Sequence, residues 1–495
     1  MESSQNAAPY WVALLLISFL ALSWVYFPES TDDAYITLQY AKQWIQGNGL
    51  VFNTLERIEG FSNFSWLAIL TAAGKIGLPM PVVMKVIGMI CGGGTAILIW
   101  KSARRLFPLS PIIPFVSTGL VTTSSFFALW SVDGLETGWF TFLLTAAIYL
   151  LLQSDKKISR ALWIVLPLIA LTRPEGILFC ILSSVIICCS RRQPLIMQLF
   201  TVLSYSVAYI AFTIFRYAYY GTVTAHTTEI KFHPGVQSME LGFDYIKLFL
   251  HDSGWILFIA IVVGSILISR HRGLAVPAIV VLGGVFFLLL SGGDFMYGYR
   301  FIVPVFPAVA LLAGASIITL RKRPMMILAA GILLAVTSIS QWASLPSKHL
   351  SSDNLTYRSN VLLDVSQFLQ RNGVEPSDIV VVSEAGIIPY SISANTIDFI
   401  ALTSDLEHLY PNGNLDVDYL LSFSPRYLII STVVRDGVVS GRLIQDDQIR
   451  LHPKVQMGYR EVFTGNVKKD RSFNDAIYYK YFPSPLIEFH VLERT

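Results

Sequence analysis

Nine stretches of this 495-residue chain are apolar over lengths close to the hydrocarbon core of a bilayer: residues 10–27, 82–100, 112–131, 138–153, 197–219, 254–270, 274–291, 301–320 and 325–342. A helical crossing takes roughly 20 such residues, because every backbone amide in lipid must find its partner inside the segment. A series of this kind restricts the fold class to an α-helical polytopic membrane protein, with the bilayer as its first partner. The chain is 54% hydrophobic and 14% charged, with a mean hydropathy of +0.57. A net charge of +3 without any basic run interleaved with aromatics argues against nucleic acid as a partner. Cys91, Cys180, Cys188 and Cys189 all lie in apolar stretches and outline neither a disulfide framework nor a metal site.

Two further stretches are ambiguous by length. NFSWLAILTAAGKIGLP, from Asn63, is short for a crossing, and residues 161–190 are long for one, with TRPEG at the centre. Charge placement resolves both. Five short loops (around 101–105, 156–160, 191–192, 270–272 and 321–323) carry thirteen Lys and Arg against one acid, Asp155, and the positive-inside rule puts all five in the cytoplasm. That requires 161–190 to be a hairpin with TRPEG outside and the Asn63 segment not to cross. The result is about eleven spans in a multi-pass protein of the bacterial inner membrane, its N-terminus cytoplasmic. The first run has no basic residue before it and no small-residue cleavage pattern after it, so it reads as a retained anchor.

This topology gathers the polar motifs on the outer face. They are STDDAYIT with Asp32 and Asp33, LERIEGFSN with Glu56 and Glu59, WSVDGLETG with Asp133 and Glu136, LTRPEG with Arg173 and Glu175, and SGGDFMYGYR with Asp294 and Arg300. Residues 220–253 form an outer loop carrying His226, Glu229, Lys231 and His233. The membrane domain is therefore residues 1–342, with a first outer loop at 28–81. From 343 to 495 the apolar runs shorten to strand length, as in DIVVVSEAG and RYLIIST, between turn residues; this predicts a small extracytoplasmic α/β domain.

After Asp33 the residues Ala34, Leu38, Ala41 and Ile45 recur at helical spacing until Gly47-Asn48-Gly49, so the aspartate pair opens a helix along the membrane surface. Helix capping explains one aspartate. Two adjacent carboxylates beside low-dielectric lipid repel one another, and charges at such depth are usually functional. Each remaining cluster has a structural reading beside a functional one. Arg173 and Glu175 form a hairpin-closing ion pair or a phosphate site. Asp294 caps the next helix or, with Arg300, holds phosphate or sugar. Glu136 caps the span from Thr137 or serves as a second acid. The spacing H-x-x-E-x-x-x-H from His226 lacks one helical face, so it predicts a loop closing over substrate, with Lys231 as a phosphate contact, and no metal or other cofactor. Chemistry that needs an extracytoplasmic carboxylate beside lipid and cations for an anion includes sugar transfer from a polyprenyl phosphate: a base takes the acceptor proton and Arg or Lys stabilises the departing phosphate.

Taken in order, DDAYITLQYAKQWIQGNGLVFN, ERIEGFSNF, DGLET, LTRPEG, RYAYYG and GGDFMYGYRFIVPVFP closely resemble a bacterial branch of the C-type membrane glycosyltransferases, one similar to the terminal arabinofuranosyltransferases of mycobacterial cell walls. The likeness covers the whole membrane part. It implies a polyprenyl-phosphate-linked sugar donor, a glycan or glycolipid acceptor of the cell envelope, and a catalytic aspartate in the first outer loop. By likeness to the acid pair of related transferases, that base falls on Asp32, with Asp33 orienting the helix or the acceptor. Two rival classes remain: a transporter or flippase with the carboxylates as an ion relay, and a non-catalytic envelope or motor-associated scaffold. No internal repeat of the kind transporters carry is visible.

Overall fold

The computed structural model describes all residues except 1–7, 29, 154–157, 190–192, 232–233, 346–354, 412, 436–437 and 469–485. Among the described residues, four helices are long and apolar enough to cross a membrane: Met80–Leu106, Leu195–Tyr220, Arg272–Ser291 and Arg323–Ser344. Two bent pairs add two more if each is one span, Ile112–Thr122 with Ser125–Val132 at 55° and Val236–Asp252 with Trp255–Ser269 at 105°. Shorter apolar helices are Tyr10–Tyr26, Thr137–Gln153, Gly176–Cys189 and Val303–Thr319. The long stretch 161–190 breaks at TRPEG into Leu162–Ala170 and Gly176–Cys189, because Pro174 cannot donate an amide to a continuing helix. The Asn63 segment folds as Phe64–Lys75, twelve residues.

Two elements depart from the loop read in the sequence at 220–253. The first, His226–Lys231, is a short helix where the H-x-x-E-x-x-x-H spacing predicted a loop. The second, residues 236–252, is also a helix, and it doubles back on the span that follows at Gly254, whose φ of 77° lies in the left-handed region open to glycine. Its Gly242, Tyr245 and Phe249 are buried while Val236, Met239 and Phe243 are exposed, so one side of the helix packs against the protein and apolar side chains also stand away from it.

Beyond Ser344 the chain forms a helix, Leu355–Arg371, and a six-stranded sheet: β1 (Ile379–Val382), β2 (Asn395–Asp398), β3 (Tyr427–Arg435), β4 (Val438–Gly441), β5 (Tyr459–Lys468) and β6 (Leu486–Arg494). The order is β2-β1-β3-β6-β5, with β4 also on β3. β1 runs parallel to β2 and β3, and the other pairings are antiparallel. Side chains alternate along β1, so Val380 and Val382 enter the core under the Leu355–Arg371 helix while Val381 enters a second core on the opposite face with Ile397 and Leu428.

The sheet is seated on the segment between residues 28 and 81 by polar contacts. Lys42 Nζ donates to the carbonyls of Tyr390 and Ile392 at 2.8 and 2.9 Å, Asn53 Nδ2 to Thr396 O at 2.9 Å, and the Asp405 amide to Glu56 at 3.1 Å.

Candidate active site

The segment that carries the aspartate pair is fixed from below. Asp133 is fully buried; its carboxylate accepts the Thr31 amide at 3.1 Å and the Thr31 hydroxyl at 2.9 Å, and its carbonyl accepts from Ser30 at 3.2 Å. Burial pushes the Asp133 carboxyl up to about 6, against the opposing pull of the Thr31 bond. Thr31 is the N-cap of the helix Asp32–Ile45, yet its side chain makes no capping bond to that helix.

Nor is Asp32 spent on capping: its two oxygens accept the backbone amides of Gly386 and Ile387 at 2.8 and 2.7 Å, from the turn that follows β1. A Cβ on Gly386 would stand 1.8 Å from the Asp32 carbonyl, so glycine is what lets the turn approach. Asp33 is half-buried and its field reaches Arg300.

Across from the pair stand two buried arginines. Arg300 Nε and Nη2 meet the two carboxylate oxygens of Asp294 at 2.7 and 3.2 Å, a fork-to-fork pair that fixes the guanidinium plane. Burial disfavours the Arg300 charge, but Asp294, Asp33 and Glu136 together outweigh it and raise the group above its ordinary value. Arg173 Nε lies 2.8 Å from Glu175 and 3.5 Å from Glu136, and Asn63 Nδ2 donates to the other Glu136 oxygen at 2.8 Å. Arg173 and Arg300 each stack over Phe301, 5.0 Å from its centroid. Arg173 Nη1 is buried with no partner among the described residues. Burial raises the Glu175 carboxyl, and Arg173 opposes the rise.

A cavity of about 1150 Å³ unites these groups. Asp32, Asp33, Asn63, Glu136, Arg173, Glu175, Asp294 and Arg300 line it, together with apolar Leu241, Leu248, Trp255 and Phe287. Arg173 therefore pairs with Glu175, while Asp294 pairs with Arg300 instead of capping the next helix and accepts the Met296 amide at 3.2 Å; all four residues face the cavity. Glu136 faces Arg173 and Asn63 and does not cap its helix. One expected contact falls elsewhere, and another cannot be placed. His226 does not line the cavity: its Nε2 bonds the Ala401 carbonyl at 2.9 Å, so it ties the 226–231 helix to the sheet domain. The Lys231 side chain and all of His233 lie outside the described residues.

Sequence reasoning missed the wall that the sheet domain contributes. Ser383, Glu384, Ala385, Arg442 and Leu443 also line the cavity, and nothing local in SEAG or GRL marks them as such. It also left unpaired Glu59, which is buried against Arg216 at 2.5 Å; burial pushes that carboxyl up to about 7 while Arg216 opposes the shift.

No family model matches the chain. It is 24% identical over 448 residues to the terminal beta-(1->2)-arabinofuranosyltransferase of Mycobacterium tuberculosis, covering 77% of this chain and 68% of that one. To the protein of the same name from Corynebacterium glutamicum it is 25% identical, over 58% of this chain and 48% of that one. The crystal structure of ArnT from Cupriavidus metallidurans bound to undecaprenyl phosphate superposes with a TM-score of 0.60 over 97% of this chain and 98% of that one, at 11% identity. The chain has the C-type membrane glycosyltransferase fold. The resemblance found in the motifs thus extends to the fold, and the C-type arrangement accounts for a polar cavity at one end of an apolar helical bundle.

Proposed function

We propose that this C-type glycosyltransferase moves a sugar from a polyprenyl phosphate to a hydroxyl of an extracytoplasmic glycan or glycolipid at the bacterial inner membrane. The chain would make about eleven crossings, with the N-terminus in the cytoplasm and the sheet domain, residues 343–495, outside. One observation carries the reading: charged residues from four motifs spread over residues 32–300 line a single cavity that also has apolar walls, the chemistry of an ionic headgroup on a lipid tail.

Asp32 acts as general base. Two backbone amide bonds aim its carboxylate, whose oxygens together offer about four lone-pair sites. It takes the proton of the acceptor hydroxyl as that oxygen bonds the anomeric carbon; the carbon–oxygen bond to phosphate breaks and its electron pair leaves with the polyprenyl phosphate. Arg300 and the unpartnered Nη1 of Arg173 receive the phosphate charge, with Lys231 as a further contact. Asp33 orients the acceptor and sets the field at Arg300, while Glu136, Glu175 and Asp294 hold the two guanidiniums in plane.

The test is an Asp32→Asn variant purified at normal yield. It should bind undecaprenyl phosphate as wild type does and lose sugar transfer by about 100-fold or more, the scale of one general base. Unchanged transfer would remove Asp32 as the base, and absence of undecaprenyl phosphate binding by wild type would remove the donor class.

A further inference from the structure

The sheet domain contributes an ion pair to the cavity wall that the transfer chemistry described above does not use. Glu384 follows β1 and Arg442 follows β4; they pair with each other, and their side chains are only 7% and 6% exposed. Both line the cavity. Glu384 lies two residues before Gly386, whose amide holds the Asp32 carboxylate, so the pair sits on the base's side of the cavity, apart from the arginines of the membrane part.

The pair is held by a rigid frame. Asp446 accepts the amides of Leu443 and Ser431 at 2.9 and 2.8 Å, and the Arg442 amide donates to Ser431 O at 2.9 Å, locking the loop that presents the guanidinium. The Arg442 guanidinium lies 6.0 Å from the ring centroid of Phe489, a residue of the core under the Leu355–Arg371 helix, and both charged side chains line the cavity. Burying an ion pair seldom gains stability over apolar packing, so a pair that faces the cavity calls for another use.

Resting on the glycosyltransferase reading, we propose that Glu384 and Arg442 form the acceptor subsite: the carboxylate accepts from, and the guanidinium donates to, adjacent hydroxyls of the acceptor sugar, presenting one of them to Asp32. Side by side, an acceptor-only and a donor-only group match the two hydrogen-bonding senses of neighbouring sugar hydroxyls. The ligand class is a neutral sugar, and these two residues set which one is accepted.

The experiment uses the full chain in nanodiscs and measures the Kd of two probes, an octyl arabinofuranoside and undecaprenyl phosphate, for wild type, Glu384→Gln, Arg442→Gln and the exchanged pair Glu384→Arg with Arg442→Glu. The single variants should weaken the octyl glycoside about tenfold or more, the loss of a charge-assisted hydrogen bond, with undecaprenyl phosphate held within about twofold. The exchanged pair should recover the melting temperature that the single variants lose but not the glycoside affinity, which a merely structural bridge would restore. Equal weakening of both probes, unchanged glycoside affinity, or restoration by exchange each overturns the assignment. Wild type that binds undecaprenyl phosphate and no glycoside overturns it while leaving the transfer reading intact; wild type that binds neither removes both.

Discussion

The two walls of the cavity are built by opposite means. The membrane wall brings charge, with partners close in sequence: Glu175 is two residues from Arg173, and Asp294 six from Arg300. The sheet-domain wall grips Asp32 with backbone amides 354 and 355 residues away. A charge next to lipid calls for a counter-charge, which lies two residues away for Arg173 and six for Arg300 but 157 away for Arg216. The turn after β1 instead offers backbone donors that a carboxylate from a distant segment can take.

The contrast can be broken most severely at Arg300. Arg300→Ala leaves Asp294 buried without its partner and should cost about 3–5 kcal/mol of stability, read as a lowered melting temperature in detergent. Replacing both residues by leucine should recover most of that stability and none of the activity, if Arg300 acts on phosphate. Gly386→Ala, on the other wall, drives a Cβ into the Asp32 carbonyl. It should lower kcat roughly 100-fold, the effect of a misplacement near 1 Å, with little change in undecaprenyl phosphate affinity. If kcat holds, the amide grip on Asp32 has no part in catalysis. Smaller still, Asp133→Ala strips Thr31 of two bonds and should cost about 1–3 kcal/mol, visible as faster hydrogen exchange across Ser30–Asp33.

The smallest effect lies where the walls meet. Burial pushes the Glu56 carboxyl up to about 7 from an ordinary value of 4.5. The folded state therefore binds the proton more tightly than the unfolded chain, and stability declines as pH rises from about 4.5 to about 7. Asp133 and Asp398, each pushed up to about 6 by burial, act in the same direction. Glu56→Gln should flatten the melting temperature across that window; an unchanged slope would place the titration elsewhere.

Much of the site was legible before any fold was known, but unevenly. Arg173, Glu175, Asp294 and Arg300 stand out because an ionic residue between long apolar runs has no bland surface to occupy. Asp133 drew no role of its own from the sequence and proved to be the support of Thr31, since its partner lies 102 residues away. The helix Val236–Asp252 was hidden in a stretch whose polar residues read as a loop.

The sequence by itself determined a membrane-embedded helical part, the short ion-pair motifs and the pair of aspartates that opens a surface helix, because hydropathy, charge and helical period are local properties with local physical costs. Only the tertiary structure decided that Asp32 is gripped by Gly386 and Ile387, that His226 ties the sheet domain down and does not enter the cavity, and that Glu384 and Arg442 face the same space as Arg300. Those are meetings between distant surfaces, set by how the sheet domain seats on the segment between residues 28 and 81, and no residue type or spacing within either surface records the other.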